Sequence, residues 1–221
     1  MNADKFVVQN LCLSVLIGVA AYGHDFYSTK ITWSREVSRV VAKRCLGCHQ
    51  PGGKAFSLAN FDDARPWAKA IKEEVLNRRM PPWGAVKGFG DFKNDPSLTQ
   101  EEISLFADWV EGGAPEGEKI YLADAKTPLR HPDVPAKGRS RIITGSLTLA
   151  QPSSIVALEP QQLGTSAQVI AELPDGSVEP LVWILNPAQA IHREFQFGTA
   201  VQLPKGTRIV APQGSWRFVL R

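Results

Sequence analysis

The run Cys45-Leu46-Gly47-Cys48-His49 constrains this chain more than any other stretch. Two thiols separated by two residues can each add to a vinyl group of one haem, and the histidine that follows is placed to ligate the iron from the proximal side. A chain carrying such a group must build a core around it. Two other chemistries share part of the spacing. A thioredoxin-like redox pair needs a strand before it, and half of a zinc site needs a second ligand pair. The remaining cysteine, Cys12, lies inside an apolar stretch near the N-terminus. The expected cofactor is one haem c, covalently held by Cys45 and Cys48, with His49 as an axial iron ligand.

The second axial position has one internal thioether candidate, since the only methionines are Met1 and Met80. Met80 sits in Arg78-Arg79-Met80-Pro81-Pro82-Trp83. The prolines hold the backbone extended after it and present its side chain at a fixed angle. Core filling is the usual work of methionine, but a position between two arginines and two prolines is an unusual core site. His49 and Met80 are therefore the expected axial pair. Filling both axial sites favours electron transfer over oxygen or peroxide chemistry. Arg78 and Arg79 are candidates for pairing with haem propionates, as guanidinium suits carboxylates, and Trp83 for packing against the haem edge or core.

Cys45 to His49, Met80-Pro81-Pro82-Trp83 and the later Trp109-Val110-Glu111-Gly112-Gly113-Ala114-Pro115 together resemble a class I-type cytochrome c domain. More narrowly, they are similar to bacterial cytochrome c domains fused to copper type II monooxygenase-like or thioredoxin-like modules. The resemblance covers about residues 31–120. It implies a small all-helical haem domain with His49 and Met80 as axial ligands.

Helical spacing supports three helices there. Ser34 is the expected cap of the first, whose Val37, Val40 and Val41 share a face and which runs into Cys45. Pro51-Gly52-Gly53 ends it. The second starts at Asp62, with Trp67, Ile71 and Val75 along one face, and ends near Asn77. Thr99-Gln100-Glu101-Glu102 is a capping box opening the third, with Ile103, Phe106, Ala107 and Val110 as its buried stripe and Gly112 as its stop. Phe56 and Leu58 are candidate haem-wall or core residues.

Before this region, Leu11 to Ala21 is almost continuously apolar, and Ala21-Tyr22-Gly23 has the form of a cleavage site. Residues 1–28 are expected to be an uncleaved membrane anchor or, alternatively, a signal segment removed to leave a soluble periplasmic protein. Either places the chain on the periplasmic side of a bacterial inner membrane, where covalent haem attachment occurs in such cytochromes. The net charge of +3 is mild, and no basic stripe interleaved with aromatics argues for nucleic acid.

Residues 121–140 read as an extended, proline-bearing linker. From Arg141 the pattern changes to alternation. Strands are expected at 154–158, 167–171, 181–185, 195–197, 208–210 and 216–220, with turns at Pro174-Asp175-Gly176 and Pro204-Lys205-Gly206. The spacing suggests an antiparallel β-sandwich over 141–221. Ala157-Leu158-Glu159-Pro160, Leu173-Pro174-Asp175-Gly176 and Leu203-Pro204-Lys205-Gly206-Thr207-Arg208-Ile209 resemble the C-terminal lobe of copper type II ascorbate-dependent monooxygenases, over roughly 140–210. In that family a His-x-His pair should follow the first of these motifs. Here Gln161-Gln162-Leu163 stand instead, and only the isolated His192 comes later. Copper needs imidazole or thioether donors, so the lobe reads as degenerate and His192 as an ordinary surface or turn histidine. His24 and His131 fall outside both regions.

The expected architecture is thus multi-domain: an N-terminal membrane helix, an all-α cytochrome c domain and a C-terminal β-sandwich. The expected function is single-electron transfer by a membrane-tethered subunit of a respiratory or photosynthetic reaction-centre complex, exchanging electrons with a redox donor and acceptor. It is not expected to be an enzyme. The alternatives are a haem enzyme, monooxygenase-like or peroxidase, and a haem-based sensor. Each needs an iron that Met80 does not close.

Overall fold

The computed structural model describes residues 30–53, 55–122 and 134–221. The expected membrane helix within 1–28 and most of the linker therefore lie outside the described residues. Among those described, no helix is long and apolar enough to cross a membrane.

The chain opens with a π-helical turn, Trp33–Val37, that continues into α1 (Ser38–Arg44). Its cap is Thr32, whose hydroxyl accepts from the Arg35 amide, and not Ser34, which is buried in the turn. A short α2 (Phe61–Ala64) passes through a 3-10 turn into α3 (Ala68–Leu76). Asn60 caps α2 by accepting from the Asp63 amide at 2.8 Å, two residues earlier than the expected Asp62. The capping box forms as expected at α4 (Gln100–Glu111). Glu102 N–H donates to Thr99 Oγ1 at 3.2 Å, and Thr99 N–H to Glu102 Oε2 at 2.9 Å. Trp33, Phe61, Phe106 and Trp109 centre this helical core. The Trp33 amide and the Trp109 indole N–H both donate to the Pro115 carbonyl at 3.0 Å, pinning the first helix to the exit of the last.

The C-terminal part is an antiparallel sheet of β1 (Arg139–Thr148), β2 (Ser153–Gln162), β3 (Ala167–Glu172), β4 (Val178–Ile184), β5 (Phe195–Leu203) and β6 (Arg208–Leu220). A single turn α5 (Pro187–Ala190) precedes β5. The expected sandwich of two separate sheets is not what forms. β6 is the spine of one continuous, curled sheet: residues 208–210 pair with β3, residues 215–220 with β2, and β1 runs along the other side of both. The bend lies where the β1–β6 register shifts between Thr144 and Gly145. Gly145 there has φ +77°, a left-handed backbone that suits glycine. Opposite it, a Cβ on Gly214 would overlap the Gln162 carbonyl oxygen, so the bend also needs glycine at that position.

The expectation of a self-contained all-α domain over 31–120 is also overturned. The helices are short, and the segment between α3 and α4 is not helical and leaves the helical core. Trp83, Ala85 and Phe92 are buried in the same cluster as Leu158, Phe195, Trp216 and Phe218 of the sheet. Ala85 bridges to Ile184 and the Val86 amide donates to the Trp183 carbonyl, on the outer edge of β4. Phe92 bridges to Phe197 and the Lys93 amide donates to the Gln196 carbonyl, on the outer edge of β5. In the strand order β4-β3-β6-β2-β5 these are the two ends of the path. A loop from the helical half thus pairs with the outer edges of β4 and β5, which an exposed sheet would otherwise present for unwanted pairing. The physical cause is composition: glycines in Gly84 to Gly90 forbid a stable helix, while Trp83, Phe89 and Phe92 need apolar cover.

Candidate haem-attachment site

Helix α1 delivers the Cys-x-x-Cys-His run at its C-terminal end. The Cys45 amide still donates to Val41 O at 2.8 Å, and the Cys48 and His49 amides both donate to Cys45 O at 3.0 Å. The two cysteines and the histidine therefore occupy one tight turn. Cys45 is half-buried against the helical core and Cys48 is exposed.

His49 is held from two sides. Its Nδ1 lies 2.9 Å from the Phe56 carbonyl oxygen. A carbonyl can only accept, so Nδ1 is the nitrogen that carries the proton in the neutral ring, and Nε2 is the one with a lone pair to offer. This is the arrangement by which a second partner fixes the tautomer and orientation of a ligating histidine. The Phe56 ring packs edge-on to the imidazole at 4.8 Å between centroids and stacks on Trp67 at 4.3 Å. Leu58 N–H closes the loop by donating to His49 O at 3.0 Å.

Met80 follows α3. The Arg79 and Met80 amides donate back to Glu74 O at 2.8 and 3.3 Å, and Arg78 adopts a left-handed φ of +53° that turns the chain out of the helix. Met80 borders a crevice with Val75, Leu98 and Ile103, three residues of the helical core against which Cys45 and Leu46 also pack. Its side chain is 41% exposed. On the segment from Cys45 to Leu98 the exposed large apolar side chains are Phe56, Trp67, Leu76 and Met80. Trp67, read from its periodicity as a buried residue of the second helix, is one of them.

The arginines are otherwise engaged. Arg79 makes a two-pronged contact with Glu74, at 2.9 and 2.7 Å, which holds the Glu74 carboxyl below its ordinary range. Arg78 donates to Gln100 Oε1 at 3.0 Å. Trp83 is in the core of the sheet, with its ring 4.8 Å from that of Phe195.

In the sheet, His192 is an exposed turn residue with φ +58°, as read from the sequence, its Nδ1 3.9 Å from Glu159. Gln161 donates to Glu159 Oε1 at 2.7 Å. Glu159 and Glu194 share Arg217, and these groups line a cleft of about 460 Å³ with Gln189 and Arg193. Among the described residues, no group of three or more His, Cys, Asp or Glu side chains converges to hold a metal ion. An iron held in a porphyrin by one imidazole and one thioether needs no such group.

The donor set fits a covalent haem: two thiols in one turn, an imidazole with Nε2 available, a thioether on the same helical core, and exposed apolar side chains around them. Sequence reasoning missed the Phe56 carbonyl as the partner of His49, because a backbone acceptor leaves no mark on residue identity. No protein-family model matches the chain, and no curated protein matches it.

Proposed function

We propose that this chain is a monohaem c-type cytochrome that carries single electrons, with Cys45 and Cys48 as the covalent attachment points and His49 and Met80 as the axial ligands. The observation that carries the reading is the Nδ1–H of His49 donating to the Phe56 carbonyl within the same turn as both cysteines. It fixes the tautomer in which Nε2 is the nitrogen able to ligate. The haem would supply a one-electron couple, raised in potential by methionine ligation.

The residues of the chain support that role in distinct ways. Cys45 and Cys48 fix the group in one register. Phe56 holds the imidazole ring by its carbonyl and its face. The helical core around Phe106 and Trp109 excludes water behind the site. In the same reading the protein works on the periplasmic side of a bacterial inner membrane, tethered through residues 1–28, and passes electrons between a donor and an acceptor of a membrane complex.

The test is an absorption spectrum of the purified protein, oxidised and reduced, with carbon monoxide added to the reduced form. A low-spin spectrum with a methionine–iron charge-transfer band and no carbon monoxide shift supports the reading. A high-spin spectrum that shifts with carbon monoxide means an open iron and moves an enzyme or sensor role to the front. No haem after expression with a maturation system overturns all three.

A further inference from the structure

The residues flanking Met80 are held from two sides: by the helical half, through the Arg79 and Met80 amides on Glu74 O and Arg78 on Gln100, and by the sheet. One residue before it, the Arg79 carbonyl accepts from Gln189 Nε2 at 2.7 Å. Three residues after it, Trp83 is 6% exposed, with Phe195 against its ring and the Arg193 guanidinium 5.3 Å from its centroid. Arg193 in turn donates from Nε to the Gln189 carbonyl at 3.2 Å, so the two clamp residues brace each other. Next, the Gly84 carbonyl accepts from the amides of Leu185 and Asn186 at 2.9 and 3.2 Å. Gly84 has φ +84°, and a Cβ there would lie 2.8 Å from both the Ala190 methyl and the Asn186 carbonyl oxygen. Backbone and α5 are in closest approach at this point.

We infer that the β-sheet is a second positioning element for the Met80 thioether, alongside the end of α3, with Gln189 and Arg193 as its positioning residues. This rests on the reading of Met80 as an axial ligand. The physical case is one of mechanical support. A thioether has three rotatable bonds and specifies its own position poorly. A ligand held loosely by an ångström loses its function, so its backbone must be fixed by packed, hydrogen-bonded neighbours. Met80 is 41% exposed, and its contact with the helical core is one side of a shallow crevice. What fixes the chain on both sides of it is the α4-facing core on one hand and α5 with β5 on the other. The inference gives the sheet a role without a metal of its own. It also makes the cleft bordered by Gln189 and Arg193 a place from which the ligand could be loosened.

The test compares the full-length protein with Gln189→Met, which keeps the side-chain length and removes the amide, and with Arg193→Ala. Glu172→Ala, which breaks an ion pair with Arg208 at the far side of the sheet, controls for loss of sheet stability. Expected in Gln189→Met and Arg193→Ala is a methionine–iron charge-transfer band at least halved, a lower reduction potential, and carbon monoxide binding to the reduced form at least tenfold faster. Covalent haem content should stay at the wild-type level. Arg193→Lys, which returns a cation over Trp83, should restore the band. Amide hydrogen exchange on the haem-free chain tests the clamp separately. The Val86 amide, which donates to Trp183, should exchange at least tenfold faster in Gln189→Met and not in Glu172→Ala.

The outcomes separate cleanly. Wild type without the charge-transfer band overturns axial ligation by Met80, and with it this inference, while unchanged exchange rates overturn the clamp whatever the haem does. Faster exchange with an unaltered band, potential and carbon monoxide rate overturns the positioning role. A loss equal to that in Glu172→Ala does the same.

Discussion

The two halves of this molecule bury their aromatic residues to different degrees. In the sheet, Phe195, Trp216 and Phe218 have no exposed surface. The helical half buries Phe106 and Trp109 as completely, yet leaves Phe56 45% and Trp67 44% exposed. The sheet completes its core with protein, including a loop borrowed from its neighbour. The helical half leaves a stacked Phe56–Trp67 pair exposed beside His49. Exposed single apolar residues are ordinary, but a stacked Phe–Trp pair against a candidate iron ligand is what a large apolar cofactor would cover. The comparison can be broken by asking which half depends on the haem.

The largest effect is expected from removing both attachment points. Cys45→Ala with Cys48→Ala should abolish covalent haem, read as haem-linked peroxidase staining after denaturing electrophoresis. Near-ultraviolet circular dichroism should show the helical half loosened while the sheet's aromatic signals persist. Retained covalent haem would sink the attachment assignment. Equal loss of both halves would sink the claim that only one depends on the cofactor.

A core truncation sharpens the same contrast. Trp216→Ala removes a fully buried indole, whose N–H donates to Gln213 O at 2.9 Å. Its cost is expected at about 3–5 kcal/mol in urea unfolding. Trp67→Ala in the haem-free chain should cost about 0.5–1.5 kcal/mol, the scale of one aromatic pair. In the haem-loaded chain its cost should be larger. A Trp67→Ala cost that is the same with and without haem would show that the ring does not face the cofactor.

Some of this was legible in the residues and some was not. The capping box at Thr99 was readable because both halves of the signal are local, within one turn. The helix that runs into Cys45 was readable for the same reason. Strand β1 was not. Its burial alternates only weakly, and its Arg139, Ser140 and Arg141 look like linker, because it is an edge strand with charged residues facing water. Residues 208–210 and 216–220 read as two strands. They are one bent strand instead, the bend being set by a partner strand far away in sequence. The closure of the sheet by Ala85 to Lys93 had no signal at all. Periodicity describes a segment's own face, and this loop pairs with two strands about a hundred residues downstream.

A smaller effect tests how the helical half stands without help from the cofactor. Thr99→Ala removes one arm of the capping box of α4, with an expected cost of about 1 kcal/mol. Glu102 would lose more than a cap. It also receives Arg44 Nε at 3.1 Å, tying the end of α1, just before Cys45, to the start of α4. Glu102→Gln should therefore cost more than Thr99→Ala in thermal unfolding. Equal costs would show that the Arg44 contact contributes nothing beyond the cap.

The smallest effect lies in the sheet and is a matter of pH. Burial pushes the Glu194 carboxyl upward, but the Ala136 amide at 2.7 Å and Arg217 at 2.9 Å hold it below its ordinary value of 4.5. A carboxyl whose folded value lies below its unfolded one binds fewer protons when folded. Its contribution is complete above the unfolded value and is lost as pH falls through the folded one. Glu194→Gln keeps the shape and abolishes the titration. On acidification below about pH 4.5, the urea midpoint of the sheet should fall less steeply in Glu194→Gln than in wild type. The helical-half transition should respond identically in both proteins, because the groups facing Glu194 are Ala136, Gln196 and Arg217 of the sheet region. Parallel acid profiles for the two proteins would mean that Arg217, which Glu159 also holds, keeps its charge compensated without Glu194.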